Sequence, residues 1–130
     1  MKLTRIHHCA IISSDYQRSR HFYVALLGLT VIHEMYRKER DSYKLDLAVG
    51  EVSGFQIELF SFPDPPARLT RPEANRLRHL AFSVPNVTEA AHELNIKGIA
   101  TEAIRVDPVT GKHFTFFRDP DDLPLELYEE

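Results

Sequence analysis

His8-Cys9-Ala10-Ile11-Ile12-Ser13 and His79-Leu80-Ala81-Phe82-Ser83-Val84 are two versions of one short β-rich run, and each leads into the start of a helix. After the first, Ser13-Ser14-Asp15 is a helix-start signal, and Phe22, Tyr23, Leu26 and Leu27 recur at helical spacing before Gly28 supplies the stop. After the second, Asn86-Val87-Thr88-Glu89 opens a helix whose apolar stripe is Val87, Ala90, Ala91 and Leu94, ended by Gly98. Three strand-like runs follow each helix. In the first half they span residues 29–37, 42–49 and 55–62; in the second, 99–106, 113–118 and 123–128. Ile57-Glu58-Leu59 and Leu125-Glu126-Leu127 form a second aligned pair at nearly the same offset as the first. The chain is therefore one βαβββ module written twice.

Between the halves, Pro63-Asp64-Pro65-Pro66-Ala67-Arg68-Leu69-Thr70-Arg71-Pro72 carries four prolines in ten residues. Proline removes a backbone donor and fixes φ, so this stretch is neither helix nor central strand and is the best linker in the chain. The expected organisation is a single domain over 1–130, with module 1 at about 4–62, a linker at 63–76 and module 2 at about 77–129.

A chain of 130 residues has room for one compact domain, or for two half-size modules sharing a core. Its 43% hydrophobic, 27% charged and 10% aromatic content is that of an ordinary globular protein. Sixteen basic against 19 acidic side chains give a net charge of −3, a poor basis for binding nucleic acid or an anionic membrane. The single cysteine, Cys9, cannot form an intrachain disulfide, which suits a reducing cytoplasm. No apolar run approaches a membrane span, and the residues from Met1 to His8 have no apolar signal core, so a cytoplasmic location is expected.

Strand side chains alternate between faces, so parity sorts each run. Cys9 and Ile11 oppose His8; Ile57 and Leu59 oppose Glu58; Leu80 and Phe82 oppose His79; Leu125 and Leu127 oppose Glu126. The apolar faces should pack under the helices, leaving two imidazoles and two carboxylates on the others. A carboxylate in mid-strand is costly unless it is paired or bound to a metal. Taken singly, each residue is an ordinary strand histidine or a solvated glutamate. Taken together, at equivalent places in two repeats, they make a mixed nitrogen and oxygen site for one divalent transition metal. Two octahedral positions would stay open for a substrate with two neighbouring oxygens. Ni, Zn, Co, Mn and Fe all accept this ligand set.

With these residues in view, the chain resembles the vicinal oxygen chelate superfamily of glyoxalase I, methylmalonyl-CoA epimerase, extradiol dioxygenases, fosfomycin-modifying transferases and bleomycin-binding proteins. The resemblance spans the chain. It rests on His8-Cys9-Ala10-Ile11, Phe22-Tyr23 with Leu27-Gly28-Leu29, Ile57-Glu58-Leu59, the run from Arg78 to Val84, and Asp119-Pro120-Asp121 leading into Leu125-Glu126-Leu127. It implies an α+β fold in which two βαβββ modules form a curled mixed sheet around a metal-binding cleft, with His8, Glu58, His79 and Glu126 as ligands. It also implies a homodimer. His7 lies beside a ligand position, but parity turns it away, as a neighbour and not a ligand.

Two His and two Glu is the glyoxalase I pattern, whereas fosfomycin transferases and extradiol dioxygenases use two His and one Glu, and the epimerase has Gln at the place of Glu58. The resemblance thus implies a lactoylglutathione lyase-like metalloenzyme acting on a small-molecule 2-oxoaldehyde–thiol adduct or a related α-hydroxycarbonyl compound. A proton would pass between neighbouring carbons through a metal-bound enediolate, with Glu126 as base and Glu58 as ligand or partner acid/base. The alternatives are another enzyme of the superfamily, a thiol transferase or dioxygenase, or a small-molecule binding or resistance protein. The places of the family's two polar glutathione anchors hold Ile12 and Phe62 here, which argues against glutathione as the thiol. Asp122 replaces the usual glycine of the Asp-Pro-Asp-Gly turn, a detail of turn geometry.

Other cations have two readings. Arg37, Lys38, Arg40 and Lys44 alternate with Glu39, Asp41 and Asp46 as a solvated face would, or one of them, Arg37 foremost, holds a substrate carboxylate. Arg68, Arg71, Arg76 and Arg78 bracket the linker and could do the same. Lys112, on the loop before Phe114, Phe116 and Phe117, and Phe62 are further candidates for substrate contact. The three phenylalanines themselves are assigned to the core.

Overall fold

The computed structural model describes residues 1–130, which form two units, Met1–Ala67 and Arg68–Glu130. In the first, β1 (His8–Ser13), α1 (Tyr16–Arg20), β2 (Thr30–Arg37), β3 (Ser42–Ala48) and β4 (Gln56–Ser61) follow in that order. In the second come β5 (Leu80–Val84), α2 (Val87–Ile96), β6 (Arg105–Val106), β7 (His113–Arg118) and β8 (Pro124–Glu129). Each unit holds one four-stranded mixed sheet, ordered β1-β4-β3-β2 and β5-β8-β7-β6. The first strand of each runs parallel to the last, and the remaining pairs are antiparallel. This is the βαβββ module, twice. No helix is long and apolar enough to cross a membrane.

The helices start where side-chain oxygens can cap them. Asp15 accepts from the Arg18 N–H at 3.1 Å, and Asn86 accepts from the Glu89 N–H at 2.9 Å. The helix expected to run on to Leu27 keeps α geometry only to Arg20, and His21–Leu26 is a wider π-turn closed by the Leu27 N–H on the Phe22 carbonyl at 2.9 Å. The extra residue in that turn accompanies the burial of two adjacent aromatics, Phe22 at 5% exposure and Tyr23 at 0%. Gly28 then takes φ +76°, a left-handed conformation that favours glycine.

α1 packs on β4, and α2 on β7 and β8. Leu45, Leu47, Ile57 and Leu59 are fully buried in the first unit; Val87, Ala91, Leu94, Phe117, Leu125 and Leu127 are buried in the second. Tyr16 lies flat on Tyr43, with ring centroids 4.3 Å apart, and its hydroxyl donates to Glu34. Arg20 Nε donates to the same carboxylate at 2.7 Å. Arg20 and then Tyr16 hold the Glu34 carboxyl below its usual range; burial and the Glu34 contact push the Tyr16 phenol above its own.

Two strands are shorter than the sequence suggests. The run at 99–106 pairs only at Arg105–Val106. Upstream it touches β7 through isolated bonds, the Glu102 N–H to the Phe116 carbonyl and the buried Thr115 hydroxyl to the Glu102 carbonyl, each 2.8 Å. β5 begins at Leu80, so Arg78 and His79 precede the ladder instead of lying within it.

The Pro-rich segment is tied into the second unit by charge. Arg68 Nη2 is 2.8 Å from Glu73, Arg118 Nη1 is 3.4 Å from the same carboxylate, and Arg71 Nη1 is 3.1 Å from Asp122. The Thr70 hydroxyl, with Arg68 and Arg118, draws the Glu73 carboxyl down to about 2. Asp122 adopts φ +66° in its turn, where Asp119 accepts from the N–H groups of Asp121 and Leu123 at 2.9 Å each.

Candidate functional site

The strand register places a histidine and a glutamate at the same diagonal in both sheets. Ala10 is the register partner of Glu58, and Ala81 of Glu126, so His8 and His79 each stand two residues back on the carboxylate's face. In the first unit His8 Nε2 is 3.6 Å from Glu58 Oε2; in the second His79 Nε2 is 3.0 Å from Glu126 Oε2. Glu126 is buried and Glu58 half-buried. Each His–Glu pair stays a pair, and nowhere do three or more His, Cys, Asp or Glu side chains gather as a ready metal site.

The surroundings of the two pairs differ. Asp46 is the register partner of Glu58, and Lys44 precedes it on the same face of β3. Lys44 Nζ lies 2.5 Å from Asp46 Oδ1 and 3.3 Å from Glu58 Oε1. Burial pulls the Lys44 ammonium down, but the two carboxylates outweigh it and set its pKa above the usual lysine range. In the second unit Phe116 takes the place opposite Glu126, and its ring meets His79 edge-on with centroids 5.1 Å apart. Of the phenylalanines assigned to the core, only Phe117 is there, at 3% exposure. Phe114 and Phe116 are half-buried, opposite Tyr128 and Glu126, because β7 alternates and Phe117 takes the inward place.

The donors fit a divalent transition metal in kind, since each pair offers an imidazole nitrogen beside a carboxylate oxygen. His8 is arranged for it: His7 Nδ1 is 3.0 Å from His8 Nδ1, so His8 can give its proton there and keep the Nε2 lone pair free. His7 is thus the neighbour that parity suggests. His79 is arranged otherwise. Arg78 Nη1, which can only donate, faces His79 Nδ1 at 2.9 Å, so the ring proton sits on Nε2 and points at Glu126. Ligation through Nε2 requires Arg78 to withdraw and the proton to move to Nδ1.

Arg37 extends from the end of β2 with its guanidinium 4.9 Å from the Phe60 centroid and 5.7 Å from that of Phe62. Its Nη2 donates to the Ser42 hydroxyl at 2.8 Å, and its buried Nε has no partner. Lys112 is engaged elsewhere, its Nζ donating to the backbone carbonyl of Glu130. Arg68 and Arg71 are committed to Glu73 and Asp122. Sequence reasoning passed over Lys44 and Asp46 as neighbours of Glu58, although the alternation Lys44-Leu45-Asp46-Leu47 puts both on one face. It also passed over the hold of Arg78 on His79, for which no periodic signal exists.

Comparison with known proteins matches this architecture. The family model described as Glyoxalase/Bleomycin resistance protein/Dioxygenase superfamily fits residues 5–127. The protein YwkD of Bacillus subtilis (strain 168) is 63% identical over 130 residues, covering 100% of both chains. YaeR of Escherichia coli (strain K12) is 55% identical over 128 residues, covering 98% of each. Neither name states an activity. The crystal structure of a glyoxalase family protein from Enterococcus faecalis superposes with a TM-score of 0.89 at 49% identity, covering 99% of this chain and 100% of that one. With paired βαβββ units, a family model spanning nearly its whole length and relatives above half identity, the chain belongs to the glyoxalase/bleomycin resistance protein/dioxygenase superfamily.

Proposed function

We propose that the protein is a metal-dependent lyase or isomerase of glyoxalase I type, acting on a 2-oxoaldehyde–thiol adduct or a related α-hydroxycarbonyl compound. The observation that carries this reading is the repetition of one His–Glu diagonal at the same register in both units. His8 and Glu58 from one unit and His79 and Glu126 from the other would supply the ligands of one divalent ion, within one chain or between modules exchanged in a homodimer. Once bound, the ion would polarise two neighbouring substrate oxygens and stabilise the charge that develops as a C–H proton leaves. Glu126 is the base that takes this proton and returns it to the adjacent carbon. Before the ion binds, His79 Nε2, 3.0 Å away, orients that carboxylate; ligation would free Glu126 from this contact. Glu58, held by Lys44, serves as ligand or second acid/base. Phe116 and Phe114 stand on the face of Glu126, with the Arg105 guanidinium over both rings. The reaction needs no nucleic acid or membrane partner.

One observation favours a second reading. With the Lys44 ammonium 3.3 Å from its oxygen, Glu58 already has a cationic partner, which would leave His8, His79 and Glu126 as a three-ligand set suited to a thiol transferase or dioxygenase.

Metal content by plasma mass spectrometry separates the two readings. On the first, wild type holds about one divalent ion per site, and Glu58→Ala and Glu126→Ala both lose it. If Glu58→Ala keeps the ion while Glu126→Ala loses it, the second reading takes over. A wild type that takes up no Ni, Zn, Co, Mn or Fe ends both in favour of a metal-free binding protein.

A further inference from the structure

Arg37 is the half-buried cation of the first unit that has no counter-ion. Arg20 meets Glu34 and Lys44 meets Asp46 and Glu58, whereas no carboxylate lies within ion-pair distance of Arg37. Its Nε is removed from solvent and makes no hydrogen bond, and its one side-chain partner is the neutral hydroxyl of Ser42, itself fully buried. Guanidinium nitrogens offer five donors in a planar fork, so this one is short of acceptors. A buried charge without compensation is costly, and the usual remedy is a partner of opposite sign.

The group is also held in place. Phe60 and Phe62 stack at 6.0 Å with 9° between their planes, and the guanidinium lies over both. Lys44 Nζ is 5.8 Å from the Phe60 centroid, but its charge is already shared between Asp46 and Glu58, so Arg37 is the cation left over at this floor. Phe60 is two residues beyond Glu58 on β4, a rise of roughly 6.6–6.8 Å along the strand. The floor thus places a cation short of acceptors one side-chain step from a candidate ligand carboxylate.

We infer that Arg37, floored by Phe60 and Phe62, binds a carboxylate carried by the substrate a few bonds from the oxygens that approach Glu58. A carboxylate suits the planar fork, which it can meet through two parallel N–H···O bonds. The substrate class narrows to small oxygenated acids with a distal carboxylate, such as four- to five-carbon oxo or hydroxy diacids. This inference rests on the proposed role of Glu58 for the position of the reacting end; Arg37, Phe60 and Phe62 themselves lie wholly within the first unit.

The test is calorimetric titration with 2-oxoglutarate and with its 5-methyl ester, which keeps the open chain and removes the distal charge. Wild type is expected to prefer the acid at least tenfold. Arg37→Met retains a side chain to cover Phe60 and should bring that ratio near one, and Arg37→Lys should restore part of it. Equal binding of acid and ester by wild type, no binding of either, or a ratio unchanged in Arg37→Met overturns the inference. Inorganic phosphate is the competing probe: if it binds more tightly than the acid and depends on Arg37, the arginine serves a phosphoryl group and the carboxylate assignment fails. Metal content measured on the same samples keeps the two proposals apart. Metal uptake with no Arg37-dependent preference sinks the inference alone, while an Arg37-dependent preference without metal uptake sinks the metal reading alone.

Discussion

Arg78 and His79 are adjacent in sequence, and Arg78 Nη1 lies 2.9 Å from His79 Nδ1, which fixes the ring proton on Nε2, where it is directed at Glu126. The arrangement stabilises a hydrogen-bonded His–Glu pair and opposes ligation by the same nitrogen.

Removing that arginine is expected to ease metal uptake. Arg78→Leu should raise affinity for a divalent ion several-fold, since Nδ1 can then carry the proton while Nε2 coordinates. Nitrogen-15 imidazole spectra of the metal-free protein should show His79 as the Nε2–H tautomer in wild type and a mixture in Arg78→Leu. A wild-type ring already protonated at Nδ1 would remove the basis of this prediction.

Lys44 should act on Glu58 in the same sense by charge. Lys44→Met removes an ammonium 3.3 Å from the carboxylate and leaves Asp46 close by, so metal affinity should rise by about tenfold, or about 1.4 kcal/mol. Isothermal titration with Ni or Zn reads this directly. Unchanged affinity would mean that Glu58 takes no part in binding.

Acid stability should depend on Glu73. Its carboxyl is held at about 2 in the folded chain, below the ordinary value of 4.5, so the unfolded chain binds more protons between those limits. The contribution is complete above about 4.5 and is lost as pH falls toward 2. Glu73→Gln should flatten the acid limb of a urea-unfolding series taken from pH 2 to 6, with the largest effect at the neutral end. An unaltered slope would show that the Thr70, Arg68 and Arg118 contacts add nothing to stability.

Truncating the second unit's core has a plain expected cost. Leu125 is fully buried on β8, so Leu125→Ala should lower unfolding free energy by about 2–5 kcal/mol, measured by denaturant titration. Glu126 is its neighbour in sequence but turns to the other face, and Glu126→Gln should cost far less.

The module order was legible because strand alternation and helix caps are local signals: Asp15 and Asn86 cap as their positions suggest, and Ile57, Leu59, Leu125 and Leu127 turn inward as parity requires. Parity also brought each imidazole to the correct face of its carboxylate. What escaped depends on tertiary contacts that leave no period. The π-turn answers to the joint burial of Phe22 and Tyr23. The brevity of β6 follows from the single bonds Glu102 makes with β7. Arg37 was legible as a candidate cation but not as one lacking a counter-ion, because counter-ions are assigned by fold and not by spacing.

The slot opposite each glutamate is one backbone address with two occupants, Asp46 in one sheet and Phe116 in the other. The duplicated frame therefore lets each copy be rewritten without moving a strand. A descendant of such a chain could trade charge for aromatic surface, or the reverse, beside either carboxylate by a single codon series while its hydrogen-bonded ladder stays intact. A fold of this kind offers selection two independently adjustable walls on an inherited chassis, which suits a superfamily whose members share an architecture and differ in what they act upon.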